Sequence, residues 1–286
     1  MRIYLSVDME GISGVTRWQD VITSGQDYQR ARSWMTADVN AAVAGARDAG
    51  ATHIVVEENH GIEMLCNLLL DEIDPLVDVV RGIPRGGATT AAALDDSFDA
   101  VFLVGHHAKA GDPLGFGAHT ISYENYREVR LLGRPIGEGE IFAVIAAQVG
   151  VPTALITGDD VVCAEMTEVC PGIATAEVKR SLSHTGGWII PPTRAQELIR
   201  TTARKALKRV RKGKVAPPPL PARVAMEIEL RTSMTAAVQE SIAEHHPEFT
   251  VKDDRTLAFE HDEMAVAYRM ACIAGTIAEK GRVRRY

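Results

Sequence analysis

Short segments typical of β-strands alternate with longer segments of helical periodicity over most of the chain. Residues 52–59 and 97–105 are rich in valine and other apolar residues, as buried parallel strands are. The clearest helix is predicted over 27–50, where apolar residues recur on one face: Ala31, Met35, Val39, Ala42 and Ala46. Strands that alternate with helices form βαβ units. The chain is therefore predicted to be an α/β protein with a mostly parallel sheet flanked by helices, in Rossmann-like layering.

A proline-rich segment over 213–224 divides the predicted elements into two parts. Such a segment is stiff and extended, which makes it the best candidate for a linker. Residues 1–212 would form the α/β domain, in which 61–73 is also predicted to be helical. Predicted strands and a closing helix indicate a smaller α+β part over 225–286.

Acidic residues and histidines follow the predicted strands. Asp8 and Glu10 come directly after the first strand, inside the glycine-bounded turn "SVDMEGISG". Because ligands of open α/β sheets bind at the carboxyl ends of the strands, we expect such side chains to gather at one edge of the sheet. The candidates are Asp8, Glu10, Glu57, Glu58, His60, His106, His107, Asp159 and Asp160, with His119, Glu138 and Glu140 from a glycine-rich segment and the helix after it.

Mixed clusters of histidine and carboxylate bind zinc, manganese and similar metals. Five or more ligands exceed the needs of one tetrahedral zinc, so the pattern predicts two metals about 3.5–4 Å apart that share a carboxylate. Each residue taken alone has a simpler explanation, because carboxylates at strand ends are usually helix caps or solvated, and a lone histidine is usually structural. Asp159 is interpreted as a helix cap or as support for the site. Carboxylates or histidines follow four separate predicted strands, and this coincidence favours the metal site.

Charge and composition argue against several classes of partner. A net charge of -7 makes nucleic acid an unexpected partner. No apolar segment approaches the roughly 18 residues of a membrane span, and the first residues lack the apolar region of a signal peptide. The four cysteines lack the spacing of a zinc or redox motif. We therefore expect reduced cysteines in a cytoplasmic protein.

Six motifs follow one another between residue 1 and about residue 200: "YLSVDMEGISGV", "ENH", "FLVGHHAKAGDPLGFGAHT", "GRPIGE", "TGDD" and "AEVKRSLS". Together they resemble the D-aminopeptidase family of the dipeptide-operon (DppA) type. The first motif is nearly verbatim, whereas the last third of the chain matches only in outline.

The resemblance implies a binuclear zinc peptidase that removes the N-terminal residue from short peptides with D-amino acids, such as D-alanine, at that end. The implied metal ligands are Asp8 as the bridging carboxylate, Glu10, His60, His107 and Glu138, and the implied further active-site histidine is His119. Manganese or cobalt could replace the two zinc ions. The family also forms homodecamers of two stacked pentameric rings, with the active sites facing an inner chamber.

Two residues of the matching motifs allow more than one interpretation. His106 stands where the family commonly has an aromatic residue, so it could compete with His107 as the ligand. Lys179 is most simply a surface charge beside Arg180. Alternatively, Lys179 reaches a substrate carboxylate or the site of an adjoining subunit.

The expected reaction is hydrolysis of the N-terminal peptide bond by a metal-bound hydroxide, because zinc lowers the pKa of bound water to about 7. His119 would stabilise the oxyanion or act as general base or acid. Two other functions fit the same residues, namely hydrolysis of a cyclic or non-peptide amide, and non-catalytic binding of a metal or peptide. A phosphatase is disfavoured because the site has no evident arginine clamp for phosphate.

Overall fold

Strands and helices alternate through most of the structure, a computed structural model that describes residues 1–61, 65–82 and 90–280. The strands are β1 (Arg2–Val7), β2 (His53–Glu58), β3 (Asp78–Val80), β4 (Ala100–Val104), β5 (Tyr126–Leu131), β6 (Arg134–Pro135), β7 (Thr153–Asp159), β8 (Ala174–Ser183), β9 (Gly186–Ile189), β10 (Val224–Leu230), β11 (Thr250–Val251) and β12 (Thr256–His261). The helices are α1 (Trp18–Val21), α2 (Tyr28–Asp48), α3 (Glu138–Gln148), α4 (Asp160–Val169), α5 (Pro192–Arg211), α6 (Ala236–His245) and α7 (Met264–Lys280).

The first sheet has seven strands in the order β3-β2-β1-β4-β7-β8-β9. Its neighbouring strands are parallel, apart from the antiparallel pair β8–β9. The central strands β1 and β4 are apolar and almost wholly buried, as strands covered on both faces must be. Side chains of α2 and α5 pack on one face of this sheet, and those of α3 and α4 pack on the other. The predicted α/β fold is confirmed.

The second sheet is antiparallel and has five strands in the order β11-β12-β10-β5-β6. Its buried side chains form a separate core with α3, α6 and α7. Strands β5 and β6 lie before the proline-rich segment, whereas β10 follows it, yet β5 pairs directly with β10. The division predicted at 213–224 therefore does not separate the two sheets, because strand pairing joins residues about 100 positions apart along the chain.

The helix predicted over 61–73 is wrong in its described part, since residues 65–73 contain no helix; residues 62–64 lie outside the described residues. The carboxylate of Glu58 accepts hydrogen bonds from the backbone N–H groups of Asn67 and Leu68. These donors are satisfied by a buried side chain rather than by helical carbonyls, so the apolar composition did not lead to a helix. Across the described ranges, no helix has the length and apolar character needed to cross a bilayer.

The fold brings the carboxyl ends of β2, β1, β4 and β7 together as neighbours at one edge of the first sheet. Two glycines allow the loops after β1 and β4 to meet there. Gly105 has a φ of +72°, and a Cβ at that position would lie 2.4 Å from the carbonyl oxygen of Asp8. A Cβ on Gly11 would lie 1.9 Å from the carbonyl oxygen of His106. Only glycine permits this approach of two backbones.

Candidate metal centre

Two groups of metal-ligating side chains lie at this edge of the first sheet. One consists of Asp8, Glu10 and His60, and the other of His107, His119 and Glu138. Within each group, the ligand atoms lie within 4.8 Å of one another. The loops after β1, β2 and β4 supply five of these residues, and the start of α3 supplies Glu138. All five predicted ligands, together with His119, are thus brought together by the fold.

Each of the three histidines uses one ring nitrogen to hold the backbone, and this orients the other nitrogen. The contacts are His60 Nε2 to the carbonyl of Val21 at 2.7 Å, His107 Nδ1 to that of Ala108 at 3.0 Å, and His119 Nδ1 to that of Gly117 at 2.8 Å. Because a carbonyl only accepts hydrogen bonds, these nitrogens carry the protons and donate them. The second nitrogen of each ring faces the carboxylates, as it does in histidines that bind metals.

Asp8 lies between the two groups. Its Oδ1 is 3.4 Å from Nδ1 of His60, and its Oδ2 is 3.4 Å from Nε2 of His107. The backbone N–H of Met9 donates to Oδ1 at 2.7 Å, which helps to fix the plane of the carboxylate. Asp8 therefore contacts a histidine of each group.

Glu10 and Glu138 complete the two groups. Glu10 Oε2 is 2.8 Å from Nδ1 of His60. Glu138 is the first residue of α3, and its Oε1 lies 3.4 Å from Nε2 of His107 and 3.7 Å from that of His119. The same oxygen accepts the backbone N–H of Ile121 at 2.7 Å. A negative side chain at a helix N-terminus is also favoured by the helix dipole.

The electrostatics of the centre are those of a site that attracts cations. Burial and the neighbouring charge of Glu10 raise the pKa of Asp8 to about 7. Burial lowers the pKa of a histidine, yet Glu138 and Asp8 outweigh it and raise the pKa of His107 to about 10. Burial raises the pKa of Glu138, but His107 outweighs it and lowers that pKa to about 2. The carboxylates of Asp8, Glu10 and Glu138 therefore attract positive charge at the imidazole nitrogens that they face. A donor set of carboxylates and imidazoles fits zinc.

A cavity of about 210 Å³ opens beside the two groups. The rings of His107 and His119 stack at 3.9 Å between centroids, and His119 together with the carboxylates lines the cavity. The rest of the wall is formed mainly by Trp18, Leu65, Ile121, Ser122, Tyr123 and Tyr268. These wall residues are not among the sequence candidates. No local pattern marks them, because α1 has only four residues and Tyr268 comes from α7, far along the chain.

His106 lies outside both groups. Its ring is buried, and Nε2 is 3.1 Å from the hydroxyl of Ser6. Burial lowers the pKa of His106 to about 4, so the ring is neutral. The structure directs His107, and not His106, towards Asp8 and Glu138.

Lys179 is not a surface residue, so that interpretation is wrong: its side chain is only 2% exposed. Its ammonium group donates hydrogen bonds to the backbone carbonyls of Glu10, Ile12 and Val15. It also lies 4.6 Å from the ring centre of Phe116. Lys179 therefore holds the loop that carries Asp8 and Glu10, and does not line the described cavity.

Asp159 caps α4, as predicted, and accepts the N–H of Val162 at 2.9 Å. Its second oxygen accepts the N–H of Phe116 at 3.0 Å and the hydroxyl of Ser181 at 2.8 Å. The cap thus also anchors the glycine-rich loop that leads to His119.

The remaining acidic candidates support neighbouring structure. Glu57 accepts the N–H groups of Ala91 and Ala92, each at 2.7 Å. Glu140, in the first turn of α3, forms an ion pair with Arg134. These carboxylates have their own partners and lie outside the two groups.

The sequence matches the D-aminopeptidase family, peptidase family M55, over residues 1–273. A D-aminopeptidase of Bacillus subtilis (strain 168) is 32% identical over 229 residues, which cover 80% of this chain and 81% of the relative. The fold is similar to that of the Zn-dependent D-aminopeptidase DppA from Bacillus subtilis, described as a self-compartmentalizing protease. The TM-score is 0.89, the identity is 29%, and 100% of both chains is covered. The match spans nearly the whole chain, and the protein therefore belongs to the D-aminopeptidase family, as its motifs predicted.

Proposed function

We propose that this chain is an aminopeptidase with two zinc ions that removes the N-terminal residue from short peptides of D-amino acids. The observation that carries the proposal is the position of Asp8, whose two oxygens face His60 on one side and His107 on the other. Membership of the D-aminopeptidase family supports the reaction and the D-configuration of the substrate. The zinc dependence of the solved relative supports the choice of metal.

The five ligands divide between two ions in this proposal. Glu10 and His60 would hold one zinc, His107 and Glu138 would hold the other, and Asp8 would bridge them. Bound zinc would supply Lewis-acid chemistry, because it lowers the pKa of a water molecule and polarises the scissile carbonyl. The backbone contacts of His60 and His107 keep their second ring nitrogens aimed at the carboxylates.

His119 is the proton-transfer residue in this proposal. It lines the cavity, and its Nε2 faces the site while Nδ1 donates to Gly117. Burial and the neighbouring His107 lower its pKa, which favours the neutral ring and leaves the Nε2 lone pair free to take a proton from a substrate or water. His119 would take a proton from the attacking water and pass it to the leaving nitrogen. His107 contacts both Asp8 and Glu138, whereas His119 contacts Glu138 alone at 3.7 Å, which favours His107 as the ligand.

The assembly is also part of the proposal. The solved relative is described as self-compartmentalizing. We infer that this chain forms a decamer of two stacked pentameric rings, and ten chains of 31.0 kDa would give 310 kDa in sedimentation. A dimer or monomer at working concentration would contradict the decamer and leave the reaction unaffected. The cytoplasmic location stays a prediction.

The decisive experiment is the release of free amino acid from D-Ala-D-Ala and from L-Ala-L-Ala, with chelated protein and with the same protein refilled with zinc. Zinc-dependent hydrolysis of the D-peptide is the expected result. Hydrolysis of the L-peptide alone would contradict the D-preference, and hydrolysis of N-acetylated peptides would favour a different amidohydrolase. Bound zinc without hydrolysis of either peptide would favour a non-catalytic protein that binds a metal or a peptide.

Matched variants on α3 test the ligand set. Glu138→Gln should lower bound zinc and turnover together, because Glu138 faces His107. Glu140→Gln, two residues along the helix, should keep both, because Glu140 pairs with Arg134 instead. His119→Ala should keep two zinc ions and lose about 10²–10⁴-fold in turnover, the usual contribution of a general acid–base group. If His119→Ala bound less zinc than the wild type, His119 would be a metal ligand instead.

A further inference from the structure

We propose that Trp18 determines specificity by limiting the size of the N-terminal side chain that the site accepts. The inference rests on the proposed function and concerns the chemistry of its substrate. The cavity of about 210 Å³ is smaller than the roughly 300–1,000 Å³ of typical small-molecule sites. The largest aromatic side chain on its wall is that of Trp18. A tryptophan in this position leaves room for a small substrate residue.

The indole ring is held between three neighbours. Its ring centre lies 4.7 Å from that of Tyr123 and 5.7 Å from that of His119. It packs over Gly117, where an added Cβ would lie 3.6 Å from Cζ2 of the indole. Gly117 has a φ of +56°, a conformation that glycine adopts readily and that leaves the space for the ring open.

Tyr123 is in turn fixed from its other side. The guanidinium group of Arg231 lies 4.8 Å from the Tyr123 ring, and its Nε donates to the Tyr123 carbonyl at 2.6 Å. Arg231 follows β10 in the second sheet, whereas Trp18 begins α1 beside the first sheet. Residues associated with both sheets therefore hold this wall in position, and a larger substrate cannot displace it without breaking these contacts.

The position of the indole favours the N-terminal residue of the substrate over the leaving residue. Helix α1 carries both Trp18 and Val21, whose carbonyl orients His60. A Cβ built on Gly117 would lie 3.6 Å from Cγ of Glu10 and 3.6 Å from Cζ2 of the indole, so the indole lies near Glu10 as well as beside His119. Glu10 and the adjacent Asp8 are the better partners for a substrate amine. The side chain next to the amine would then meet Trp18.

The test is the ratio of kcat/KM for D-Leu-D-Ala to that for D-Ala-D-Ala, measured with zinc-loaded enzyme. A ratio within one preparation cancels any loss of active protein. Trp18→Ala should raise the ratio at least about tenfold, since a few methylene groups in a pocket are worth factors of 10–200. Trp18→Phe, which keeps an aromatic contact with His119, should give an intermediate ratio.

Trp188→Ala is the matched control, because Trp188 lies on β9, is 72% exposed and does not line the cavity. It should keep the wild-type ratio. An unchanged ratio in Trp18→Ala, or an equal loss on both substrates, would overturn the role of Trp18. D-Ala-D-Leu is measured as a third substrate. If Trp18→Ala raised kcat/KM for D-Ala-D-Leu alone, the role of Trp18 would also be overturned, because the wall would then face the leaving residue. Failure of wild-type enzyme to hydrolyse D-Ala-D-Ala would instead overturn the proposed function, and this inference with it.

Discussion

At the scale of single residues, Lys179 is a buried charge that positions the loop bearing two candidate ligands, Asp8 and Glu10. Burial lowers its pKa to about 8, although Asp159, Glu10 and Asp38 oppose that shift, so the ammonium is charged at pH 7. The ammonium donates hydrogen bonds to three backbone carbonyls of the loop after β1, those of Glu10, Ile12 and Val15. Hydrogen bonds to charged groups are stronger than neutral ones, and buried carbonyls left without a donor are destabilising.

We predict that Lys179→Met weakens zinc binding and lowers the free energy of unfolding by about 2–5 kcal/mol, because it leaves buried carbonyls unpaired. Methionine keeps most of the stem and removes only the charge and the donors. Zinc titration and urea unfolding of the chelated protein measure the two effects. Arg180→Met is the control, since the Arg180 side chain is 72% exposed and its nearest carboxylate, Asp160, is 3.6 Å away. Equal zinc affinity in both variants would contradict this role.

Asp38 is a second buried charge whose effect on stability depends on pH. It is fully buried and accepts two hydrogen bonds from Ser13, one from the backbone N–H at 2.8 Å and one from the hydroxyl at 2.7 Å. Burial raises the pKa of Asp38 to about 6, although the bonds from Ser13 oppose the shift. The folded state thus holds this proton more tightly than the unfolded state. Stability from this group is complete below about pH 4 and is lost as pH rises through about 6.

The variant Asp38→Asn removes that titration and keeps the shape of the side chain. Relative to wild type, its free energy of unfolding should rise between pH 4 and pH 7, by at most about 3 kcal/mol from the size of the shift. Chemical unfolding of chelated protein at several pH values measures the difference. A difference that does not vary with pH would show that Asp38 keeps an ordinary pKa in the folded state.

At the scale of elements, the packing of α2 against α5 depends on one glycine. Gly45 lies inside α2, where glycine usually costs about 1 kcal/mol relative to alanine. A Cβ there would lie 2.2 Å from the carbonyl oxygen of Arg200 and 2.9 Å from Cβ of Ala203, both on α5. The glycine is therefore needed for the close approach of the two helices that cover one face of the first sheet.

We predict that Gly45→Ala destabilises the protein by about 1–3 kcal/mol, the usual cost of overpacking, although helix propensity alone favours alanine. Thermal or urea unfolding gives the sign directly. A stabilised Gly45→Ala variant would mean that α2 and α5 are further apart than the structure places them.

At the scale of the whole molecule, the candidate metal centre is built from segments that are distant in the sequence. The proposed ligands run from Asp8 to Glu138 and belong to the ends of three strands and the start of one helix. Unfolding separates these segments, so zinc would bind the folded state alone. Binding free energy then adds to stability.

Zinc at about 100 times its Kd should therefore add about 3 kcal/mol for each ion, or about 5 kcal/mol for the two proposed ions, and raise Tm by about 5–10 °C over chelated protein. Calorimetry with and without chelator measures the shift. Magnesium should not replace zinc, because it prefers oxygen ligands and octahedral geometry. The rise in Tm on addition of zinc should be smaller in Glu138→Gln and unchanged in Glu140→Gln. An identical Tm with and without zinc, in protein that binds the metal, would mean that the donors also hold it in the unfolded chain.

Some residues of the candidate site could be predicted from the sequence, and others could not. The donors Asp8, Glu10, His60 and His107 could be named because each directly follows a predicted strand, and the fold brings them together. Their role as ligands stays a prediction. Trp18 and Tyr268 could not be named, because a cavity wall is made by residues whose only relation is their distance in space.

The sequence by itself determined the α/β order, the parallel sheet and the kinds of donor atom at its edge. These follow from periodicity and composition within short segments, which act through local backbone preference and burial. The tertiary structure decided which of two adjacent histidines faces Asp8, and that Lys179 is buried behind the loop. It also paired β5 with β10 across the proline-rich segment. These outcomes depend on contacts between residues far apart in the chain, whose energies no local pattern encodes.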